Sequence, residues 1–87
     1  MTESLPPIGV LVVDDHPLLR DGLAALLGAH ADLRLLGEAA DGEEALACYQ
    51  QLRPDVVLMD LQMPRMDGVE AIVRIRAIDP RARIIVL

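Results

Sequence analysis

Ile8-Gly9-Val10-Leu11-Val12-Val13-Asp14-Asp15 decides the fold. A half-exposed strand alternates apolar and polar residues, whereas this run is continuously apolar and ends in two acids. That is the pattern of a strand buried on both faces. Asp55-Val56-Val57-Leu58-Met59-Asp60 repeats it, again with an acid at its end. Ahead of the first run, Met1 to Pro7 is expected to be a flexible lead, because Pro6 and Pro7 block regular structure.

Between and beyond these runs the pattern alternates. Pro17 suits a first helical turn. Leu19, Leu23, Leu26 and Leu27 recur at helical spacing, which predicts an inward face on a helix stopping near Gly28. Leu33 to Glu38 reads as a second strand, interrupted by Arg34 and Gly37. Asp41 with Glu44 three residues later marks a second helix start, with Ala45, Tyr49 and Leu52 on its apolar face. Arg53-Pro54 ends that helix, since Pro pushes its predecessor out of the α region. Leu61 to Met66 is a loop. Asp67 caps a third helix with Glu70 at N3, and Val69, Ile72 and Val73 form its expected inner stripe. Asp79-Pro80 closes it, and Arg83 to Leu87 is a fourth strand.

The order is βαβαβαβ. Right-handed crossovers then give an α/β doubly wound parallel sheet with helices on both faces. The least interrupted runs belong at its centre, which sets the first and third strands side by side and the topological switch point between them.

Composition limits the function. The 87 residues make one small domain, 53% of them apolar and 25% charged, which argues against disorder. No Lys is present, and the net charge of −6 opposes a grip on a phosphate backbone, so no direct nucleic-acid contact is expected. A single Cys fits a reducing compartment, and the apolar runs are too short for a membrane span or signal. A cytoplasmic location is expected.

The chemistry lies in three carboxylates. Asp14 and Asp15 end the first strand and Asp60 ends the third, so neighbouring strands deliver all three to the crevice beyond the carboxyl ends of the sheet. Crowded carboxylates repel one another, and a hard divalent cation such as Mg²⁺ relieves this with oxygen ligands. An Asp beside that ion is a competent nucleophile for phosphoryl transfer. A lone Asp at a strand end more often caps a turn. An adjacent pair plus a third at the switch point favours the metal and phosphoryl chemistry. His16 reads as a solvated helix-entry residue, and Cys48, with no basic neighbour, as an inert helix cysteine.

Val12-Val13-Asp14-Asp15-His16-Pro17, Asp55 to Asp60, and Met63-Pro64-Arg65-Met66-Asp67-Gly68 resemble, in order and spacing, the receiver domains of two-component response regulators. The stretches Asp14 to Leu23 and Leu36 to Gly42 look most like the NarL/FixJ subfamily, whose members carry a C-terminal LuxR-type helix-turn-helix domain. The resemblance implies a flavodoxin-like fold from residue 8 to residue 87. It makes Asp60 the phosphoacceptor, Asp15 the direct Mg²⁺ ligand and Asp14 its partner acting largely through water. Gln62 would complete the metal site through its backbone carbonyl, and Gly68 would be the glycine of the loop entering the third helix. A sensor histidine kinase is the implied phosphoryl donor, docking on the first helix. The domain would promote only its own phosphoryl transfer and dephosphorylation, and its output would be DNA binding by another domain.

Against the family pattern, the fifth strand and last two helices are absent, with the phosphate-binding Lys, the switch Thr or Ser and the switch aromatic. The chain is therefore expected to be the N-terminal part of a receiver and not a competent switch alone. An apolar edge strand at Arg83 to Leu87 is expected to promote a homodimer or strand-swapped self-association. Two other functions stand beside the receiver reading. One is a Mg²⁺-dependent phosphohydrolase with Asp60 as nucleophile, which would want an acid/base where Gln62 stands. The other is a non-catalytic assembly module.

Overall fold

The computed structural model describes residues 5–87. Its elements are β1 (Ile8–Val13), α1 (Pro17–Gly28), β2 (Leu33–Ala39), α2 (Gly42–Leu52), β3 (Val56–Met59), α3 (Gly68–Ile78) and β4 (Ile84–Val86). The four strands are parallel in the order β2-β1-β3-β4, so β1 and β3 are central neighbours as their unbroken apolar runs required. This is the flavodoxin-like arrangement that the resemblance implies, with the strand order reversing between β1 and β3. Residues 1–4 of the expected flexible lead lie outside the described residues, and Leu5–Pro7 carry no regular structure.

The pleat divides the core in two. Leu11, Val13, Val57 and Met59 face α2 and α3, packing with Ala45, Tyr49, Ala71 and Ile75. Val10 and Val12 face the other side and meet Leu27 and Leu23 of α1. Leu11, Val12, Val13, Val57 and Met59 are completely buried, and each such side chain contributes about 1.5–3 kcal/mol of hydrophobic stabilisation. In β2, Val10 pairs with Leu35 but Leu11 with Gly37, so Leu36 is bulged out of register.

Helix starts follow local chemistry. Asp41 caps α2 by accepting the Glu44 N–H at 2.8 Å, and Asp67 caps α3 by accepting the Glu70 N–H at 2.9 Å. Helix α1 begins on Pro17 without a side-chain cap. Two inner faces differ from expectation. Leu19 and Leu26 of α1 are 46% and 58% exposed, leaving Leu23 and Leu27 to pack. Val69 and Val73 of α3 are 57% and 64% exposed, while Gly68, Ala71 and Ile75 are buried and Ile72 packs beside them. A helix lying close on a sheet needs small residues at the contact, and Ala71 meets that need better than Val. Among the described residues no helix is long and apolar enough to cross a membrane.

Candidate functional site

The register that pairs Val13 with Met59 sets the geometry beyond the strand ends. The Asp60 N–H donates to the Val13 carbonyl at 2.9 Å and the Asp14 N–H to the Ala39 carbonyl at 3.0 Å, so the ladder continues one residue past each strand. Asp14, Asp15 and Asp60 therefore meet at the carboxyl end of the sheet, and His16 joins them. One side-chain ligand atom from each of the four lies within 4.8 Å of every other. The Asp14 side chain is 2% exposed, that of Asp60 19% and that of Asp15 30%, a gradient from the floor of the site to its rim.

The carboxylates differ in their partners. Asp14 Oδ1 accepts the His16 N–H at 2.7 Å, and His16 Nδ1 lies 2.7 Å from the same oxygen. Asp60 Oδ1 accepts the Gln62 N–H at 3.1 Å, which sets the rotation of the carboxylate. Asp15 Oδ1 is buried and accepts no hydrogen bond among the described residues, its nearest cationic neighbour being His16 Nδ1 at 3.2 Å. A buried anionic oxygen without a hydrogen bond is costly, and a cation relieves it more fully than a largely exposed imidazole does. The oxygen-rich donor set therefore suits a hard divalent ion.

His16 sits at the entry to α1 with its side chain 68% exposed, as expected, but its Nδ1 reaches into the cluster, 3.2 Å from Asp15 and 3.9 Å from Asp60. The hydrogen bond to Asp14 holds the imidazole pKa above its ordinary value, and the charges of Asp15, Asp14 and Asp60 add to the effect. Cys48 is a half-buried thiol raised by burial and then by Glu44, consistent with an inert cysteine.

Gly68 begins α3 as its first residue instead of lying in the loop before it. A Cβ there would lie 2.6 Å from the Leu61 Cα and collide with the Asp60 carbonyl oxygen. Its N–H donates to the Leu61 carbonyl at 3.0 Å. Only glycine lets α3 start against the backbone of the residue that carries the central carboxylate.

Sequence reasoning missed one long-range pair beside the site. Arg65, in the loop after Asp60, donates from Nε to Asp41 Oδ2 at 2.9 Å, and its Nη2 donates to the same oxygen. The capping pattern at Asp41 was legible, but nothing in the spacing pairs it with Arg65. The cavity of about 260 Å³ among Tyr49, Asp55, Asp79 and Arg83 lies at the opposite end of the sheet, away from the carboxylate cluster.

Residues 10–87 match the response regulator receiver domain family. The chain is 44% identical over 80 residues to the response regulator protein VraR of Staphylococcus aureus, covering 92% of this chain and 38% of that protein. A two-component response regulator of the LuxR family from Aurantimonas sp. SI85-9A1 superposes with TM-score 0.87 at 39% identity, covering 92% of this chain and 57% of that one. The CheX–CheY–BeF3–Mg complex from Borrelia burgdorferi gives TM-score 0.88 at 34% identity, over 93% of this chain and 61% of the matched one. The chain thus spans well under half of its curated relative. Its motifs, its strand order and these likenesses agree, and the chain belongs to the response regulator receiver domain family.

Proposed function

We propose that Asp60 accepts a phosphoryl group from a sensor histidine kinase, with Mg²⁺ held at the acidic cluster. The observation that carries this reading is the convergence of Asp14, Asp15 and Asp60 from two adjacent strands, with Asp15 Oδ1 buried and accepting no hydrogen bond among the described residues. The likeness to the Borrelia CheX–CheY complex, which contains BeF3 and Mg²⁺, adds support. Asp15 and Asp60 would hold the ion directly, Asp14 largely through water, and the Gln62 backbone carbonyl would complete the set. When bound, the ion neutralises charge on the transferring phosphoryl group.

The chain's own residues do the rest. A carboxylate oxygen of Asp60 attacks phosphorus, an O–P bond forms, and the bond from phosphorus to the donor breaks with its electrons leaving on the donor. The Gln62 N–H on Oδ1 orients the carboxylate for this attack. The added charge at residue 60 then biases the loop and surface around it. The LuxR-family likeness supports a DNA-binding output elsewhere in a longer regulator, acting in the cytoplasm on transcription. Self-association through the β4 edge is part of the proposal, because Ile85, Val86 and Leu87 are about half exposed there. Sedimentation velocity should reveal a concentration-dependent dimer, and a monomer at every concentration would remove that part.

Acetyl phosphate with Mg²⁺ tests the central step. The chain should gain the mass of one phosphoryl group, and Asp60→Asn should gain none. Equal incorporation by Asp60→Asn would refute the assignment. Turnover of a simple phosphate ester would favour a phosphohydrolase, although Gln62 at the expected acid/base position offers no proton relay. Silence in both assays would favour a non-catalytic assembly module.

A further inference from the structure

The loop between β3 and α3 is held from outside the carboxylate cluster. Arg65 adopts φ 61°, a left-handed conformation that side chains other than Gly, Asn and Asp rarely take. The loop near Arg65 is tied to the start of α2. Arg65 places two guanidinium N–H donors on Asp41 Oδ2, while Asp41 Oδ1 accepts the Glu44 N–H. Both oxygens of this buried carboxylate are thus occupied. One residue further on, the Gly42 N–H donates to the Met66 carbonyl at 2.9 Å, and a Cβ on Gly42 would lie 2.6 Å from the Met66 Cβ. Met66 itself is buried in the core. At the other end of the loop, the Gly68 N–H closes on the Leu61 carbonyl and the Gln62 N–H closes on Asp60.

Within Gln62 to Pro64, the stretch that passes the cluster, the Gln62 N–H rests on Asp60 and Met63 packs against the core, and Pro64 leads directly into Arg65. We infer that Arg65 is a positioning residue for the cation site: clamped to Asp41, it fixes the course of Gln62–Pro64 past Asp60 and so the placement of the Gln62 backbone. Releasing it leaves the packing of Met63 and Met66 as the loop's remaining anchors on that side and lets the Gln62 N–H shift on Asp60. This rests on the cation site proposed above. A guanidinium that sets two N–H donors on one carboxylate oxygen is suited to the task, because its planar fork loses little freedom per bond made.

Mn²⁺ binding by the full chain, followed by electron paramagnetic resonance, tests it. Arg65→Asn keeps a residue that tolerates the left-handed conformation but cannot reach Asp41, and Asp41→Asn keeps a helix cap but loses the charge. Each should weaken Mn²⁺ binding about tenfold, the lower end of what outer-shell partners of metal ligands are worth. The double variant should be no weaker than either single one, and Arg65→Lys should restore part of the loss. A merely structural role would lower the thermal midpoint without this non-additive loss of affinity. Unchanged affinity in Arg65→Asn, or losses that multiply in the double variant, would overturn the inference. If Asp15→Asn abolishes binding while Arg65→Asn leaves it intact, only the positioning role fails. If the unmodified chain binds no Mn²⁺, the cation site fails and takes the positioning role with it.

Discussion

The two ends of the sheet use the same residue type in opposite ways. At the amino ends of the strands, Asp55 Oδ2 accepts the Gly9 N–H at 2.7 Å, and Asp79 accepts the Tyr49 hydroxyl at 2.9 Å and the Arg81 N–H at 3.0 Å. These carboxylates are provided with donors and serve as struts. At the carboxyl ends, Asp14, Asp15 and Asp60 crowd together, and Asp15 keeps a buried oxygen that accepts no hydrogen bond among the described residues. What separates the two ends is the crowding of like charges: each strut carboxylate stands alone with its donors, whereas the three at the carboxyl end share one small space.

The largest expected effect comes from exchanging the two ends in a loading assay. Asp60→Asn should abolish phosphoryl incorporation, whereas Asp55→Asn should leave it intact because Asp55 touches none of the cluster. Phosphate-affinity electrophoresis after acetyl phosphate treatment reads both. Incorporation that depends on Asp55 would break the division between the ends.

Stability should respond with the opposite sign. Asp55→Ala strips the buried Gly9 N–H of its acceptor and should cost about 1–2 kcal/mol in urea unfolding. Asp15→Asn relieves repulsion in the metal-free cluster and should raise the thermal midpoint by about 2 °C. Added Mg²⁺ should stabilise the unmodified chain but not Asp15→Asn, because only a folded site binds the ion. A loss of stability in metal-free Asp15→Asn would place that residue among the struts.

A smaller effect lies in the acid limb. The Arg81 N–H, and after it the Tyr49 hydroxyl, hold the Asp79 carboxyl below the usual carboxylate range. The Asp41 carboxyl is lowered too, first by the Glu44 N–H and then by Arg65. Each contributes stability that is complete above the ordinary Asp pKa of about 3.9 and is lost as pH falls through the lower folded value. Circular dichroism should show stability falling with acid below that point. The fall should be shallower for Asp79→Asn, which has no such group to protonate. Equal slopes would show that the contact does not carry the dependence.

The strand order and the acidic cluster were legible because both rest on short-range signals. Unbroken apolar runs mark β1 and β3 as central, and an acid one step past each run falls at the same end of a parallel sheet. The caps at Asp41 and Asp67 were legible for the same reason. The inner faces of α1 and α3 were read less well, since hydrophobicity ranks Leu19, Leu26, Val69 and Val73 above Ala71. Close helix–sheet packing rewards small size instead, and both Ala45 and Ala71 are completely buried. The long-range struts gave no local signal. Asp55 on Gly9, Tyr49 on Asp79 and Arg65 on Asp41 join residues 46, 30 and 24 positions apart. Only the folded chain brings them together.

Isothermal calorimetry with Mg²⁺ tests most directly that the carboxyl-end cluster is built for a cation. The unmodified chain and Asp55→Asn should each bind a single ion with the same affinity, and Asp15→Asn should bind none. Binding by Asp15→Asn equal to that of the unmodified chain would contradict the assignment.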